Sequence, residues 1–258
     1  MLKKINVVLI GALGKMGQAI QNLIKKDDAF GCIYLVDSTF KSSEGSCDFE
    51  KFFKEVKLSG ARDLVIEFTT PIVTMEVALL CAELKLPLVT GTTGLAENGY
   101  DILQKASKET AILQDSNMSL GVNLVDALLP RLANTLVREG WDAEITELHH
   151  RMKKDSPSGT ARRFAQTISL ATGRRIIQGR EKGHVSERGN EIFVHSVRGG
   201  TIPGEHTIYF MGPDEVIEIH HRALSNKIFA LGAVKAAKWI MGKKPGLYSM
   251  LNVLGLKK

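Results

Sequence analysis

Residues 147–161, with the sequence ELHHRMKKDSPSGTA, contain the densest set of side chains suited to acid–base chemistry. Two adjacent histidines, His149 and His150, are followed by Lys153. Histidine titrates near neutral pH and is the side chain most often used to donate a proton, while lysine supplies a positive charge. These residue types predict a pocket in which a histidine delivers a proton to a bound anionic substrate.

The second half of this segment predicts an anion site. Pro157 is incompatible with a helix that runs through the segment, so an extended loop is expected before it. Ser158, Gly159 and Thr160 then open the next helix, and the N–H groups of a helix N-terminus bind anions. We predict that these residues bind a substrate carboxylate, with Lys153 adding charge. A solvated polar loop before a capped helix remains the alternative.

The adjacent histidines are a poor pair of metal ligands. On a continuing strand they would face opposite sides, and only a strand that ends here would bring both to one pocket. The cysteines Cys32, Cys47 and Cys81 are odd in number and have neither a CxxC nor a zinc spacing. We therefore predict no metal site, a reducing cytoplasmic location, and core positions for Cys32 and Cys81, which lie in apolar runs.

Three other polar groups receive no catalytic role. His220 and His221 stand at the end of a predicted strand, so a surface or packing role is expected. Residues 198–200 and 204–206 have the composition of functional loops, but their spacing leaves their role open.

A glycine-rich loop follows the first predicted strand. The apolar run 5–10 leads into Gly11, Gly14 and Gly17, after which the pattern becomes helical. Glycines let the backbone approach a pyrophosphate closely, and the helix N-terminus then faces the phosphates. The loop therefore predicts a dinucleotide site, although its GxxGxxG spacing is less common than GxGxxG.

The second predicted strand, 32–36, ends at Asp37. In this position a carboxylate accepts hydrogen bonds from the adenosine ribose hydroxyls and repels a 2′-phosphate. Ser38 follows, and the nearest basic residue is Lys41. We predict that NADH is preferred and that Lys41 permits some use of NADPH. A tight turn followed by a surface aspartate is the alternative.

Two further segments lie at the carboxyl ends of predicted parallel strands, where ligands bind in open α/β sheets. They are residues 67–70 (EFTT) and 91–94 (GTTG). Their hydroxyls and amides, including those of Phe68 and Thr69, are candidate contacts of the nicotinamide ribose and carboxamide. Ordinary turn chemistry at strand ends would produce the same pattern.

The order of predicted elements indicates two domains. Strands and helices alternate up to about residue 117, which predicts an α/β domain with a parallel sheet covered on both faces. After it come a long helix at 120–137, a half-exposed strand at 141–150, a helix at 158–172, and strands that suggest an antiparallel or mixed sheet. The predicted dinucleotide-binding domain is 1–118, completed by 226–258, and the second α+β domain is 119–225.

The composition excludes several classes. The chain has 258 residues and a net charge of +6, but its basic residues are scattered and lack interleaved aromatics, so no nucleic-acid partner is expected. No apolar run suggests a membrane span. The N-terminal segment MLKKINVVLIGALG has a short apolar run without a cleavage site, so a first strand is favoured over a signal peptide.

The chain resembles the 4-hydroxy-tetrahydrodipicolinate reductase (dihydrodipicolinate reductase) family. Residues 147–161 match that family's signature, and residues 11–17, 91–94, 117–123, 198–200, 204–207, 246–248 and 253–256 support the match. The resemblance implies a Rossmann domain, an inserted substrate domain with an open mixed sheet, and a homotetramer. It implies the reduction of 4-hydroxy-tetrahydrodipicolinate by NADH or NADPH with loss of water, in lysine and diaminopimelate biosynthesis.

The resemblance also implies roles for individual residues. His149 matches the proton donor, Lys153 its catalytic partner, and His150, Ser158, Gly159 and Thr160 the substrate contacts. The matched cofactor contacts are Gly11, Ala12, Leu13, Gly14, Lys15, Met16, Asp37, Gly91, Thr92, Thr93, Asp115, Ser116, Asn117 and Met118. Some family members have an arginine directly after the acidic residue, whereas this chain has Ser38, which argues against NADPH use.

Two other interpretations remain open at the level of sequence. Another two-domain oxidoreductase acting on a small carboxylic acid would share the build, but an acylating semialdehyde dehydrogenase needs a nucleophilic cysteine, and the second half contains none. A non-catalytic NAD-binding regulator would keep the glycine loop without needing the His149–Lys153 cluster.

Overall fold

The computed structural model describes residues 4–37, 63–180 and 188–257. Ser38, Lys41 and Cys47 lie outside these ranges. The chain divides into two compact units, one formed by Met1–Leu120 with Lys227–Lys258 and the other by Gly121–Asn226. Within the described ranges, no helix is both long and apolar enough to cross a membrane.

The first unit contains a six-stranded, fully parallel sheet. Its strands are β1 (Ile5–Ile10), β2 (Phe30–Val36), β3 (Asp63–Glu67), β4 (Leu88–Thr90), β5 (Ala111–Gln114) and β11 (Gly246–Tyr248), in the order β11-β5-β4-β3-β1-β2. Its helices are α1 (Lys15–Ile24), α2 (Pro71–Leu84), α3 (Glu97–Ala106), α6 (Lys227–Ile240) and α7 (Met250–Val253). This is the predicted Rossmann-type architecture.

The apolar run of β1 is explained by burial on both faces. Val7 and Leu9 belong to the core cluster that includes residues of α1 and α6. Val8 and Ile10 belong to the cluster that includes residues of α2 and α3. A strand packed by helices on both sides has no solvent face, so apolar residues occupy successive positions instead of alternating with polar ones.

The second unit contains a five-stranded mixed sheet. Its strands are β6 (Asp142–His149), β7 (Arg175–Gln178), β8 (Glu191–Arg198), β9 (Glu205–Met211) and β10 (Val216–Arg222), in the order β10-β9-β6-β8-β7. Strand β6 pairs in parallel with β8 and antiparallel with β9. Helices α4 (Leu120–Arg138) and α5 (Gly159–Thr172) share a core with this sheet, including Leu129 and Phe164. The mixed sheet agrees with the predicted fold class.

Two expectations about the elements were wrong. Cys32 was predicted to be a core residue but is exposed, because β2 is the last strand of its sheet among the described residues. Cys81 is buried as predicted. Residues 174–190 are rich in Gly, Arg and Lys, which predicts a connection, but strand β7 lies within them. It is a four-residue strand whose residues are mostly exposed, so no apolar pattern marks it.

Candidate active site

The carboxyl ends of four parallel strands form one edge in the first unit. Ile10, Glu67, Thr90 and Gln114 pair in register across β1, β3, β4 and β5. The loops that follow these residues therefore begin at the same level of the sheet. This places the glycine loop and the segments after residues 67, 90 and 114 along the edge where ligands bind in open α/β sheets.

These loops approach one another too closely for side chains at two glycines. A Cβ atom on Gly11 would lie 2.5 Å from the carbonyl oxygen of Phe68, and Gly11 has a φ of +80°. A Cβ on Gly91 would lie 2.0 Å from the Phe68 ring. The predicted residues Gly11, Phe68 and Gly91 are thus in direct contact.

The start of helix α1 fits a pyrophosphate. Gly14 is its N-cap residue, and the first turn has no acidic side chain. A Cβ on Gly17 would lie 2.2 Å from the carbonyl oxygen of Gly11, so the loop folds tightly onto the helix. Leu13, Gly14 and Lys15 are exposed, whereas Ala12 is buried. An exposed helix N-terminus without an acidic side chain suits a phosphate group.

Asp37 contacts the glycine loop directly. Its Oδ2 accepts a hydrogen bond of 2.9 Å from the amide of Leu13. Gln18 and Gln21 donate to the carbonyl oxygens of Leu13 and Ala12 at 2.8 and 2.7 Å. The carboxylate at the end of β2 therefore fixes the loop that would bind the phosphates.

The segment after β5 is held by the C-terminal part of the chain. Asp115 accepts a hydrogen bond of 3.2 Å from the amide of Met250. A Cβ on Gly232 would lie 1.7 Å from the carbonyl oxygen of Met118, whose side chain is buried in the core. Ser116 is exposed, and Asn117 accepts a bond from Ser119. The side chain of Met118 is therefore packed in the core and does not face solvent.

In the second unit, β6 ends at His149. Glu147 and His149 are two residues apart on a strand and so share a face. His149 Nδ1 lies 2.5 Å from Glu147 Oε2. A Cβ on Gly204 would lie 2.9 Å from His149 Nε2, so a side chain at Gly204 would crowd this nitrogen. The arrangement orients the imidazole through Nδ1.

Glu147 is fully buried and receives several hydrogen bonds. Arg198 donates to both of its oxygens, at 2.9 and 2.8 Å, and the amide of Ser158 donates at 3.1 Å. Burial acts to raise the pKa of this carboxyl, but the hydrogen bonds from His149, Arg198 and Ser158 hold the pKa well below its usual range. Glu147 is therefore a buried anion beside the candidate proton donor.

Lys153 and His150 follow the end of β6. Lys153 Nζ lies 2.9 Å from Asp155 Oδ1. Burial acts to raise the pKa of Asp155, but the bond and charge of Lys153 lower it below its ordinary value. The amide of His150 donates to Ile202 at 2.8 Å. An open cavity of about 480 Å³ is lined by His150, Arg151, Met152, Gly200 and Thr201.

Ser158 acts as a structural residue in this arrangement. Its side chain is buried, its amide donates to Glu147, and its Oγ accepts a bond of 3.2 Å from the amide of Ala161. The same Oγ lies 3.0 Å from His206 Nε2. The amide and the hydroxyl of Ser158, which was predicted to contact substrate, are thus bonded inside the protein. Of the other two predicted substrate contacts at the start of α5, Gly159 is exposed and Thr160 is half-buried.

His206 joins this cluster, although the sequence alone leaves its role open. Its ring packs edge-on against His149, with centroids 5.2 Å apart, and also against Phe164. Burial, with the charge of His149 as the next cause, lowers its pKa to about 3. His206 is therefore neutral at physiological pH and acts as a packed hydrogen-bonding partner of Ser158.

The low pKa of His206 predicts how stability depends on pH. The unfolded chain binds a proton at this histidine below about pH 6.5, whereas the folded chain does not until about pH 3. Stability is therefore lost as the pH falls through this window, by about 2 kcal/mol at about pH 5. Urea unfolding at about pH 5 and about pH 7 should show a smaller pH difference for His206→Gln than for the wild type. Equal differences would contradict the assignment.

Sequence reasoning missed Glu147, Arg198 and His206 as parts of the site. The i, i+2 spacing of Glu147 and His149 was a usable signal, because it puts both side chains on one face of a strand. The composition of residues 198–200 and 204–206 indicates functional loops, but no local signal gives Arg198 or His206 its partner. They reach Glu147 and Ser158 through the pairing of β6 with β8 and β9, which brings together residues about 50 positions apart.

Comparisons with known proteins agree with this arrangement. Residues 5–118 match the N-terminal region of dihydrodipicolinate reductase, and residues 121–254 match its C-terminal region. A 4-hydroxy-tetrahydrodipicolinate reductase from Caldanaerobacter subterraneus is 42% identical over 97% of this chain and 98% of its own length. One from Aquifex aeolicus is 39% identical over 98% of this chain and 99% of its own length.

A solved structure supports the fold. The dipicolinate-bound dihydrodipicolinate reductase from Paenisporosarcina sp. TG-14 superposes with a TM-score of 0.76 at 23% identity, covering 96% of this chain and 98% of that one. The two matched regions together span nearly the whole sequence. The chain therefore belongs to the dihydrodipicolinate reductase family.

Proposed function

We propose that this protein reduces 4-hydroxy-tetrahydrodipicolinate to tetrahydrodipicolinate, with loss of water, in lysine and diaminopimelate biosynthesis. The observation that carries the proposal is the Glu147–His149 pair at the end of β6, followed by Lys153 and the N-terminus of α5. A buried carboxylate that orients a histidine, a nearby cation and a helix N-terminus are the groups needed to protonate a bound dicarboxylate. The full-length similarity to named reductases supports the same reaction.

The first unit is proposed to hold the nicotinamide cofactor. The tight Gly11–Gly17 loop and the uncapped α1 suit a pyrophosphate. Asp37, which accepts a hydrogen bond from this loop, is proposed to bind the adenosine ribose. Thr69, Thr92 and Thr93, together with residues 115–118, are proposed contacts of the nicotinamide half. When bound, the reduced cofactor supplies the hydride.

The second unit is proposed to bind the substrate and supply the proton. As imidazolium, His149 would donate from Nε2 while Nδ1–H stays bonded to Glu147. Lys153, now paired with Asp155, would exchange that partner for a substrate carboxylate. His150, Gly159 and Thr160 are the proposed remaining carboxylate contacts. Ser158 is proposed to act through the cap it forms on α5.

The cofactor choice is the first measurement to make. We expect substrate-dependent oxidation of both cofactors, with a lower KM for NADH, because the carboxylate of Asp37 repels a 2′-phosphate. The assay couples the protein to a synthase that makes the substrate from pyruvate and aspartate semialdehyde, and follows the absorbance of NADH or NADPH. A preference for NADPH would reject the role given to Asp37 and keep the reaction, whereas no oxidation of either would reject the reaction.

The proposed assembly is a homotetramer in a reducing cytoplasm. Val216 on strand β10 of the mixed sheet is 54% exposed, which leaves an apolar side chain available for a sheet-mediated contact. Light scattering after size exclusion should give four times the chain mass of 28.3 kDa. A monomer mass at micromolar concentration would contradict this. The free Cys32 and Cys81 fit a reducing compartment.

A further inference from the structure

Glu67 is a buried carboxylate that the proposed chemistry does not use. It ends β3, whose preceding residues Leu64, Val65 and Ile66 are fully buried. Glu67 itself has an exposed fraction of 0%. An apolar residue would serve the packing of this strand at lower cost, because burying a carboxylate is expensive unless hydrogen bonds compensate. The position therefore calls for an explanation other than packing.

The carboxylate is surrounded by threonines. Oε1 accepts bonds from the amide of Thr69 at 2.6 Å, from the Thr69 hydroxyl, and from the Thr92 hydroxyl at 2.8 Å. Oε2 accepts bonds from the hydroxyls of Thr74 at 2.8 Å and Thr90 at 2.6 Å. Within the described ranges all these partners are neutral. Charge-assisted bonds of this kind are about twice as strong as neutral ones.

The two carboxylate oxygens serve different elements. Oε2 bonds to Thr74 inside helix α2 and to Thr90 inside strand β4. Oε1 bonds to Thr69 and Thr92, which lie in the loops that follow β3 and β4. The amide of Thr69 also lies 2.9 Å from Thr92 Oγ1, so the two loops are joined at one point.

The joined loops also contact the glycine loop. A Cβ on Gly11 would lie 2.9 Å from Thr69 Cγ2 and 2.5 Å from the Phe68 carbonyl oxygen. Moving Thr69 would therefore change the space next to Gly11. Glu67 thus fixes the relative positions of three loops at the carboxyl edge of the parallel sheet.

We propose that Glu67 is a positioning residue for cofactor binding, which acts by holding Thr69 and Thr92 in place beside the glycine loop. This inference rests on the proposed binding of a nicotinamide dinucleotide at that edge. It assigns Glu67 no contact with the cofactor and no part in proton transfer. The effect of Glu67 should therefore appear in the affinity for the dinucleotide and not in the affinity for the dicarboxylate.

The test replaces Glu67 with glutamine, which has the same shape. The amide NH₂ group can face Thr74 and Thr90, whose hydroxyls can turn to accept, while the remaining oxygen faces Thr69 and Thr92 with no charge. We expect the Kd and the KM for NADH to rise about tenfold. The KM for the dicarboxylate and kcat should stay within about twofold, because the second unit is unchanged.

The matched control is Thr74→Val. Thr74 is also fully buried and bonds to the same carboxylate, but it lies in α2 and not in a loop. We expect this variant to have a lowered Tm and an unchanged Kd for NADH. Equal changes of the NADH Kd in Glu67→Gln and Thr74→Val, or no change in either, would overturn the inference, because a purely structural role predicts them.

A second pair of variants keeps the test decisive if Glu67→Gln does not fold. Thr92→Ser keeps the hydroxyl that reaches Oε1, whereas Thr92→Val removes it. A Kd for NADH that is about tenfold higher in Thr92→Val than in Thr92→Ser supports the inference, and equal values overturn it. Wild-type protein that binds neither NADH nor NADPH, or that binds NADH without turning over substrate, rejects the proposed function instead.

Discussion

Lys153→Ala should lower kcat by about 10²- to 10³-fold while leaving the Kd for NADH unchanged. Lys153 is the cation proposed to bind a substrate carboxylate, and its partner Asp155 would be left without it. The predicted dinucleotide site lies in residues of the other compact unit. Single-turnover kinetics at saturating NADH, together with titration of NADH fluorescence, would measure both quantities.

The matched control for this variant is Lys154→Ala. Lys154 is the adjacent lysine and is exposed, so its loss should leave kcat and the KM for the dicarboxylate within about twofold. A general loss of positive charge would affect both variants equally. Full turnover in Lys153→Ala would contradict the proposed catalytic role of Lys153. Wild-type protein that binds NADH without turning over substrate would instead favour a protein that binds the dinucleotide without catalysis.

Glu147→Gln should lower kcat by about 10²-fold or more and destabilise the protein by about 2–4 kcal/mol. The amide has no charge, so it stabilises the imidazolium of His149 less well. Arg198 also loses the anion to which it donates two bonds. Measurements of kcat against pH and of urea unfolding would report the two effects separately.

Glu144→Gln is the control for Glu147→Gln. Glu144 lies on the same strand and also has basic partners, since Arg188 and His195 both contact it. Its position three residues earlier puts it on the opposite face of β6 from Glu147. We expect a loss of stability with kcat within about twofold. A kcat as low as that of Glu147→Gln would show that the loss follows from destabilisation and not from the orientation of His149.

Local sequence patterns were sufficient to predict those features of the protein that depend on neighbouring residues. The apolar run of β1 predicted a strand buried on both faces, and the alternating run 141–150 predicted β6. Pro71, which suits the first turn of a helix, begins helix α2. The glycine loop and the cluster His149–Thr160 were visible because their residue types stand close together in the chain.

The tertiary structure decided what depends on pairing between distant segments. Cys32 lies in an apolar run, but only the strand order shows that β2 is at the edge of the sheet, where one side of a strand is less covered. The sequence around Ser158 predicts a substrate contact, yet its amide and hydroxyl form hydrogen bonds with Glu147, Ala161 and His206. Only folding brings Ser158 and His206 within hydrogen-bonding distance.

Pairing between distant segments also explains why the burial of Glu67 and Glu147 could not be predicted from the sequence. In the sequence, Glu67 ends a predicted strand and Glu147 lies near the end of another, and neither position by itself indicates burial. The paired strands and the loops that follow them surround each carboxylate with donors from segments up to 51 positions away. Local patterns thus specify the strands, helices and reactive residues, whereas the burial and partners of each polar group follow from sheet topology.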